Sequence, residues 1–179
     1  MTLGWGAFVA TLMMPVFSLQ QGLCFFIAVL ALYRAVLFIH EIAHFKKGAF
    51  LMFQKVWNLL CGFPLMVPTF LYQSVHFDHH KKNFYGTDKD GEYLPFASKG
   101  RGLILLYIGF SFLIPLIFLF RFAVLTPISY FRSGLRKFVD QKMSSLNIDL
   151  NYERPQPSLG RNEGWEFQEL LASLYGIGS

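Results

Sequence analysis

The chain has 179 residues, of which 54% are hydrophobic and only 15% charged, with a mean hydropathy of +0.40. Soluble domains sit near a quarter charged, so this composition argues against a soluble globule and for a single membrane-embedded domain rich in phenylalanine. The formal charge of +5 does not indicate nucleic acid, because the lysines and arginines flank apolar runs, as they do where a chain meets anionic lipid headgroups.

Residues 3–17 and 22–39 are apolar runs separated by Ser18-Leu19-Gln20-Gln21. Each is close to the ~20 residues that a hydrocarbon crossing needs, and together they predict a tight transmembrane hairpin. The first run lacks the basic leader and small-residue cleavage site of a signal peptide. Arg34, inside the second run, reads as a snorkelling or bundle-facing arginine; the alternative sets it beside a metal site or a substrate head group. Cys24 and Cys61 sit in apolar sequence and read as packed thiols rather than a disulfide or redox pair.

The second run leaves the membrane at His40-Glu41-Ile42-Ala43-His44, and Lys46 and Lys47 follow. Residues 48–75 are apolar again, but Lys55, Asn58, Gly62, Pro64 and Pro68 interrupt them before His76-Phe77-Asp78-His79-His80. If both histidine boxes serve one side of the bilayer, the stretch between them crosses an even number of times. Two crossings need about 40 residues, so this stretch is predicted to lie in the interface or to dip in and return. Lys46, Lys47, Lys55, Lys81 and Lys82 mark that side as cytoplasmic. Residues 81–101 form a polar loop rich in turn residues. Residues 103–131, broken by Pro115 and Arg121, predict a short helical hairpin hinged near Pro115. Residues 132–150 read as a basic, interfacial amphipathic segment. From Asn151 a polar tail carries Pro155, Pro157 and a short helix near Trp165–Tyr175. The expected division is therefore a membrane domain over 1–150 and a tail over 151–179.

All five histidines of the chain lie in the two boxes. Residues four apart share a helix face about 6 Å apart along the axis, so His40 and His44 can aim at one point. His76 likewise shares a face with His79 and His80. Imidazole suits zinc, copper, iron and nickel. Five donors exceed the three protein ligands of a usual catalytic zinc site and suggest two metal ions. Glu41 and Asp78, inside the boxes, are candidates for orienting ligating imidazoles through their second nitrogen. His-Glu-x-x-His is also the zinc metalloprotease signature, with Glu41 as general base. An intramembrane protease of that kind needs one further ligand, however, and gives no role to three clustered histidines. A non-catalytic metal-binding membrane protein is the remaining reading.

HEIAH at 40–44 paired with HFDHH at 76–80 resembles the integral-membrane fatty acid desaturase superfamily, whose boxes are His-(Asp/Glu)-x-x-His and His-x-x-His-His. The flanking HEIAHFKKGAF and VWNLLCGFPLMVPTFLYQSVHFDHHKKNFYGTDKDGEYLPF are similar to bacterial members, and SSLNIDLNYERP at 144–155 continues the likeness weakly. The resemblance implies an all-α integral membrane helical bundle, with interfacial helices carrying the boxes on the cytoplasmic side. It implies a non-haem di-iron centre with His40, His44, His76, His79 and His80 as iron ligands. That centre would use O₂ and two electrons to introduce a double bond into a lipid acyl chain, the electrons coming from a separate ferredoxin or cytochrome b5-type protein. Hydroxylases and ketolases share the boxes. The superfamily has a third box, (His/Gln)-x-x-His-His, after a further helix pair, and this sequence has no histidine beyond His80. The resemblance therefore implies an amino-terminal portion of such an enzyme, incomplete and inactive alone.

Overall fold

A computed structural model describes residues 1–46, 48–87, 89–93, 101–155 and 163–179, and the regular structure among them is all helical. These residues group into two compact units, Met1–Gly62 and Phe63–Ser179.

In the first unit α1 (Thr2–Met13) and α2 (Leu19–Val36) form an antiparallel hairpin. The polar residues between them build its turn. The Ser18 hydroxyl accepts the Gln21 N–H at 3.1 Å, and the Gln21 side chain accepts from Phe17 N–H at 2.8 Å. The two helices approach closely at Gly4, where a Cβ would stand 2.8 Å from the Leu32 side chain. After a single turn residue, Leu37, α2 runs on into α3 (Phe38–His44). The joined helix Leu19–His44 has 26 residues and a mean hydropathy of 2.4 in its most apolar stretch, long and apolar enough to cross a membrane. It is apolar all round, with Leu23, Phe25, Phe26 and Leu30 exposed. The other arm is shorter: the 12 residues of α1 rise about 18 Å against the ~30 Å of a hydrocarbon core. Of the expected hairpin, only the second arm has spanning length. Arg34 is exposed in the last turn of α2. Next, α4 (Leu51–Trp57) passes into a π turn at Asn58–Gly62. The Trp57 indole donates to the Ala35 carbonyl at 2.8 Å, fastening α4 to α2.

The second unit comprises α5 (Phe70–His79), α6 (Arg101–Ser111), α7 (Ile114–Phe120), a π turn at Arg121–Leu125, α8 (Thr126–Ser129), α9 (Ser133–Lys142) and α10 (Glu163–Gly178). No helix described between the two boxes is long enough to cross a bilayer. The hairpin expected over 103–131 is instead a bend of 54° between Gly102–Ser111 and Ile114–Ser129. Pro115 lacks an N–H, and its ring clashes with the carbonyl four residues back, at Ser111, where α6 ends. The helix then resumes with Pro115 in its first turn, where proline is tolerated.

The apolar core of this unit gathers Phe63, Met66, Phe70, Leu71, Phe122, Trp165 and Ala172. Beside it lies a polar core centred on Arg121, which is fully buried. Its guanidinium donates to Met143 O, Thr126 Oγ1, Ser144 Oγ and Glu169 Oε1, the last at 2.6 Å. Glu169 also accepts from Arg136 at 2.6 Å. Thus α9, expected to lie at an interface, turns Arg136 and Val139 into its own unit, with Lys137 and Phe138 exposed. The stretch expected as a tail likewise contributes α10, longer than anticipated, which packs on the 121–125 turn and donates from Ser173 Oγ to Phe122 O at 2.8 Å.

Candidate metal centre

The two histidine boxes are carried on helix ends, where 3.6-residue periodicity sets their side chains on one face. In the first unit His40 and His44 are exposed, with ring centroids 4.8 Å apart. Glu41 Oε1 lies 3.2 Å from His40 Nδ1, and both groups face solvent.

In the second unit the last turn of α5 presents His76, His79 and His80. His76 is buried, His79 half-buried and His80 exposed. The His76 and His80 Nε2 atoms are 3.1 Å apart. Two nitrogens each about 2.0–2.1 Å from one metal ion, at angles between square and tetrahedral, stand about 2.8–3.4 Å apart. That separation fits ligands to a shared ion. A donor set of imidazoles suits iron, zinc or copper and not calcium or magnesium.

The opposite nitrogens are engaged by carboxylates. His76 Nδ1 is 2.9 Å from Glu92 Oε1, and His79 Nδ1 is 2.9 and 3.0 Å from the two oxygens of Asp90. An ionised carboxylate only accepts, so each pairing favours Nδ1–H and an unprotonated Nε2, as metal-binding histidines require. Burial pushes the Asp90 carboxyl up, but the Gly86 N–H, His79 and the Glu92 N–H outweigh it and hold it below the usual carboxylate range. Tyr72 stacks on His76 at 4.9 Å, and burial together with Glu92 drives its phenol upward. An open cleft of about 350 Å³ is lined by His79, His80, Lys82 and Tyr85.

Asp78 does not take the orienting role expected from its place in the box. It lies two positions from His76, on another face of α5, and accepts from Tyr152 O–H at 2.9 Å and from Lys81 at 2.7 Å. The groups behind the rings are Asp90 and Glu92, which the sequence had marked only as part of a turn-rich loop. The signal on offer was two acids flanking a glycine shortly after the second box.

The fatty acid desaturase family model matches residues 17–172. The chain belongs to the fatty acid desaturase family. It is also 36% identical over 175 residues to a ceramide hydroxylase of Caulobacter vibrioides, an alignment covering 96% of this chain and 48% of that protein. The desaturase-family chain thus spans about half the length of the curated relative it matches. No solved structure matches it.

Proposed function

We propose that this desaturase-family chain is the part of a membrane-bound, O₂-dependent lipid oxidoreductase that carries its first two sets of iron ligands. His40 and His44 in the first unit, and His76, His79 and His80 in the second, would hold the pair of non-haem irons. The observation that carries this reading is the 3.1 Å separation of His76 and His80 Nε2, with carboxylates on the Nδ1 side of His76 and His79. When bound, iron supplies the O₂ chemistry that oxidises an unactivated C–H bond, with electrons from a separate ferredoxin or cytochrome b5-type protein. The chain's own part is to hold imidazoles in the ligating tautomer, and to keep the first box at the end of a helix long and apolar enough to sit among acyl chains. The likeness to a ceramide hydroxylase supports a ceramide as substrate and hydroxyl insertion as outcome. Desaturation, which the family's name supports, is the second outcome. The zinc-protease reading gives no role to Asp90 and Glu92 behind His79 and His76.

The test is anaerobic Fe(II) loading of the chain in detergent, followed by ceramide vesicles, O₂ and a reduced ferredoxin system. Iron held by the wild type and lost from a His76→Ala, His80→Ala variant is the expected result. A lipid that gains one oxygen identifies hydroxylation, and one that loses two hydrogens identifies desaturation. Iron uptake without lipid turnover is expected of the chain by itself. Zinc held in preference to iron, with a peptidase activity that Glu41→Gln abolishes, would overturn the reading.

A further inference from the structure

We infer that Asp90-Gly91-Glu92 is a two-carboxylate clamp that sets the ring tautomer and orientation of His76 and His79 together. The residues it grips are one helical turn apart on α5, and the clamp's two acids are separated by one glycine. Asp90 is fully buried and Glu92 is 16% exposed at its side chain, so both carboxylates meet their imidazoles largely out of water. Asp90 is itself fixed, its oxygens accepting the Gly86 N–H at 3.0 Å and the Glu92 N–H at 3.1 Å.

Gly91 lets the loop come close enough. A Cβ there would stand 2.4 Å from Val75 Cγ2 and 3.0 Å from Tyr152 Cγ, a contact that no side chain tolerates without a shift. Its carbonyl accepts the Ile148 N–H at 2.6 Å and the Asp149 N–H at 3.0 Å. The 146–152 stretch that pins Gly91 is tied in turn to α5, through Leu146 N–H on Leu71 O at 2.8 Å and Tyr152 O–H on Asp78 at 2.9 Å. The helix is therefore held on one face by Tyr152 and on another by the clamp. This gives the buried, non-ligating Asp78 a purpose as an anchor.

The competing arrangement is visible in the same geometry. Tyr72 Oη also lies 3.1 Å from His76 Nδ1. Were its O–H to donate there, His76 would carry its proton on Nε2 and be unfit to bind a metal. The clamp makes the opposite assignment, with Nδ1–H donating to Glu92. Its geometry is independent of the proposed function, although its purpose rests on His76 and His79 being iron ligands.

The experiment takes the full chain, labelled with ¹⁵N-histidine and metal-free in micelles, and reads ring tautomers from long-range ¹H–¹⁵N spectra. His76 and His79 are expected as Nδ1–H in the wild type and in Tyr72→Phe. Glu92→Gln should change the His76 pattern alone, and Asp90→Asn that of His79 alone, with helical circular dichroism unchanged. An Nε2–H His76 in the wild type, or one that responds to Tyr72→Phe and not to Glu92→Gln, overturns the clamp. Co(II) binding by the same proteins then gives the second reading. Each carboxylate variant should lose about 10–100-fold in affinity, the usual cost of removing such an outer partner, and Gly91→Ala should lose at least as much. Unchanged Co(II) affinity in both isosteric variants would also overturn the clamp's role. Failure of the wild type to bind Co(II) would instead strike the metal reading and leave the tautomer result standing.

Discussion

Glu169 and Arg121 form a pair that is fully excluded from solvent, joined at 2.6 Å and braced by Arg136 from the inward face of α9. Removing one partner of a buried pair leaves the other charge uncompensated, so Glu169→Gln should cost about 3–5 kcal/mol in denaturant unfolding of the chain in micelles. The pair also makes stability depend on pH. Burial pushes the Glu169 carboxyl up, but the two arginines overcome it, so its folded pKa lies below the ordinary value. A depressed carboxylate contributes fully above the unfolded pKa of about 4.3 and loses its contribution as pH falls through the folded value. Wild-type unfolding midpoints should therefore fall on acidification below about pH 4.3, and Glu169→Gln should flatten that limb; parallel acid limbs would refute the assignment. Asp78 gives a second residue-level expectation. Asp78→Ala strands the Tyr152 hydroxyl and should cost about 1–3 kcal/mol, while Co(II) affinity stays within a few-fold of wild type. The grouping of the histidines on helix faces was legible in the sequence, because spacings of three and four residues are a local helical period. Asp90, Glu92 and Glu169 carry no such period, because their partners lie 11, 16 and 48 positions away.

At the scale of elements, hydropathy marked where helices run and proline marked where they break, but neither carries an angle. Pro115 identified a discontinuity, yet the same missing N–H serves a hairpin or a 54° bend. The angle itself is not written in the proline. The α1–α2 hairpin gives a cleaner local test. A Cβ on Gly4 meets the Leu32 side chain at 2.8 Å and its backbone nitrogen at 3.2 Å, whereas a Cβ on Gly6 meets nothing within 4 Å. Gly4→Ala should destabilise the hairpin by about 1–3 kcal/mol through overpacking. Gly6→Ala should be neutral or stabilising by up to about 1 kcal/mol, since alanine is the better helix former. Thermal melts in detergent that rank the two variants the other way would show that α1 does not pack through Gly4.

For the whole molecule, composition announced a membrane setting, and the helix Leu19–His44 supplies one segment of spanning length. The sidedness expected of the chain rests on charge rather than on shape. Lys46 sits just beyond the first box and Lys82 just beyond the second, both exposed. A lysine or arginine at the centre of a spanning helix costs about 2.5–3.5 kcal/mol on insertion scales, and short basic loops stay on the cytoplasmic side. Both positions are therefore expected to face the cytoplasm. Cys24 and Cys61 can be replaced by serine and alanine, and Lys46→Cys and Lys82→Cys introduced singly. A membrane-impermeant maleimide should then label each cysteine in inverted vesicles and neither in right-side-out ones. If both label with the same sidedness, an even number of crossings separates the boxes, as the proposed function requires. If they label from opposite sides, the boxes are separated by the bilayer, and no arrangement of these helices lets both serve that chemistry.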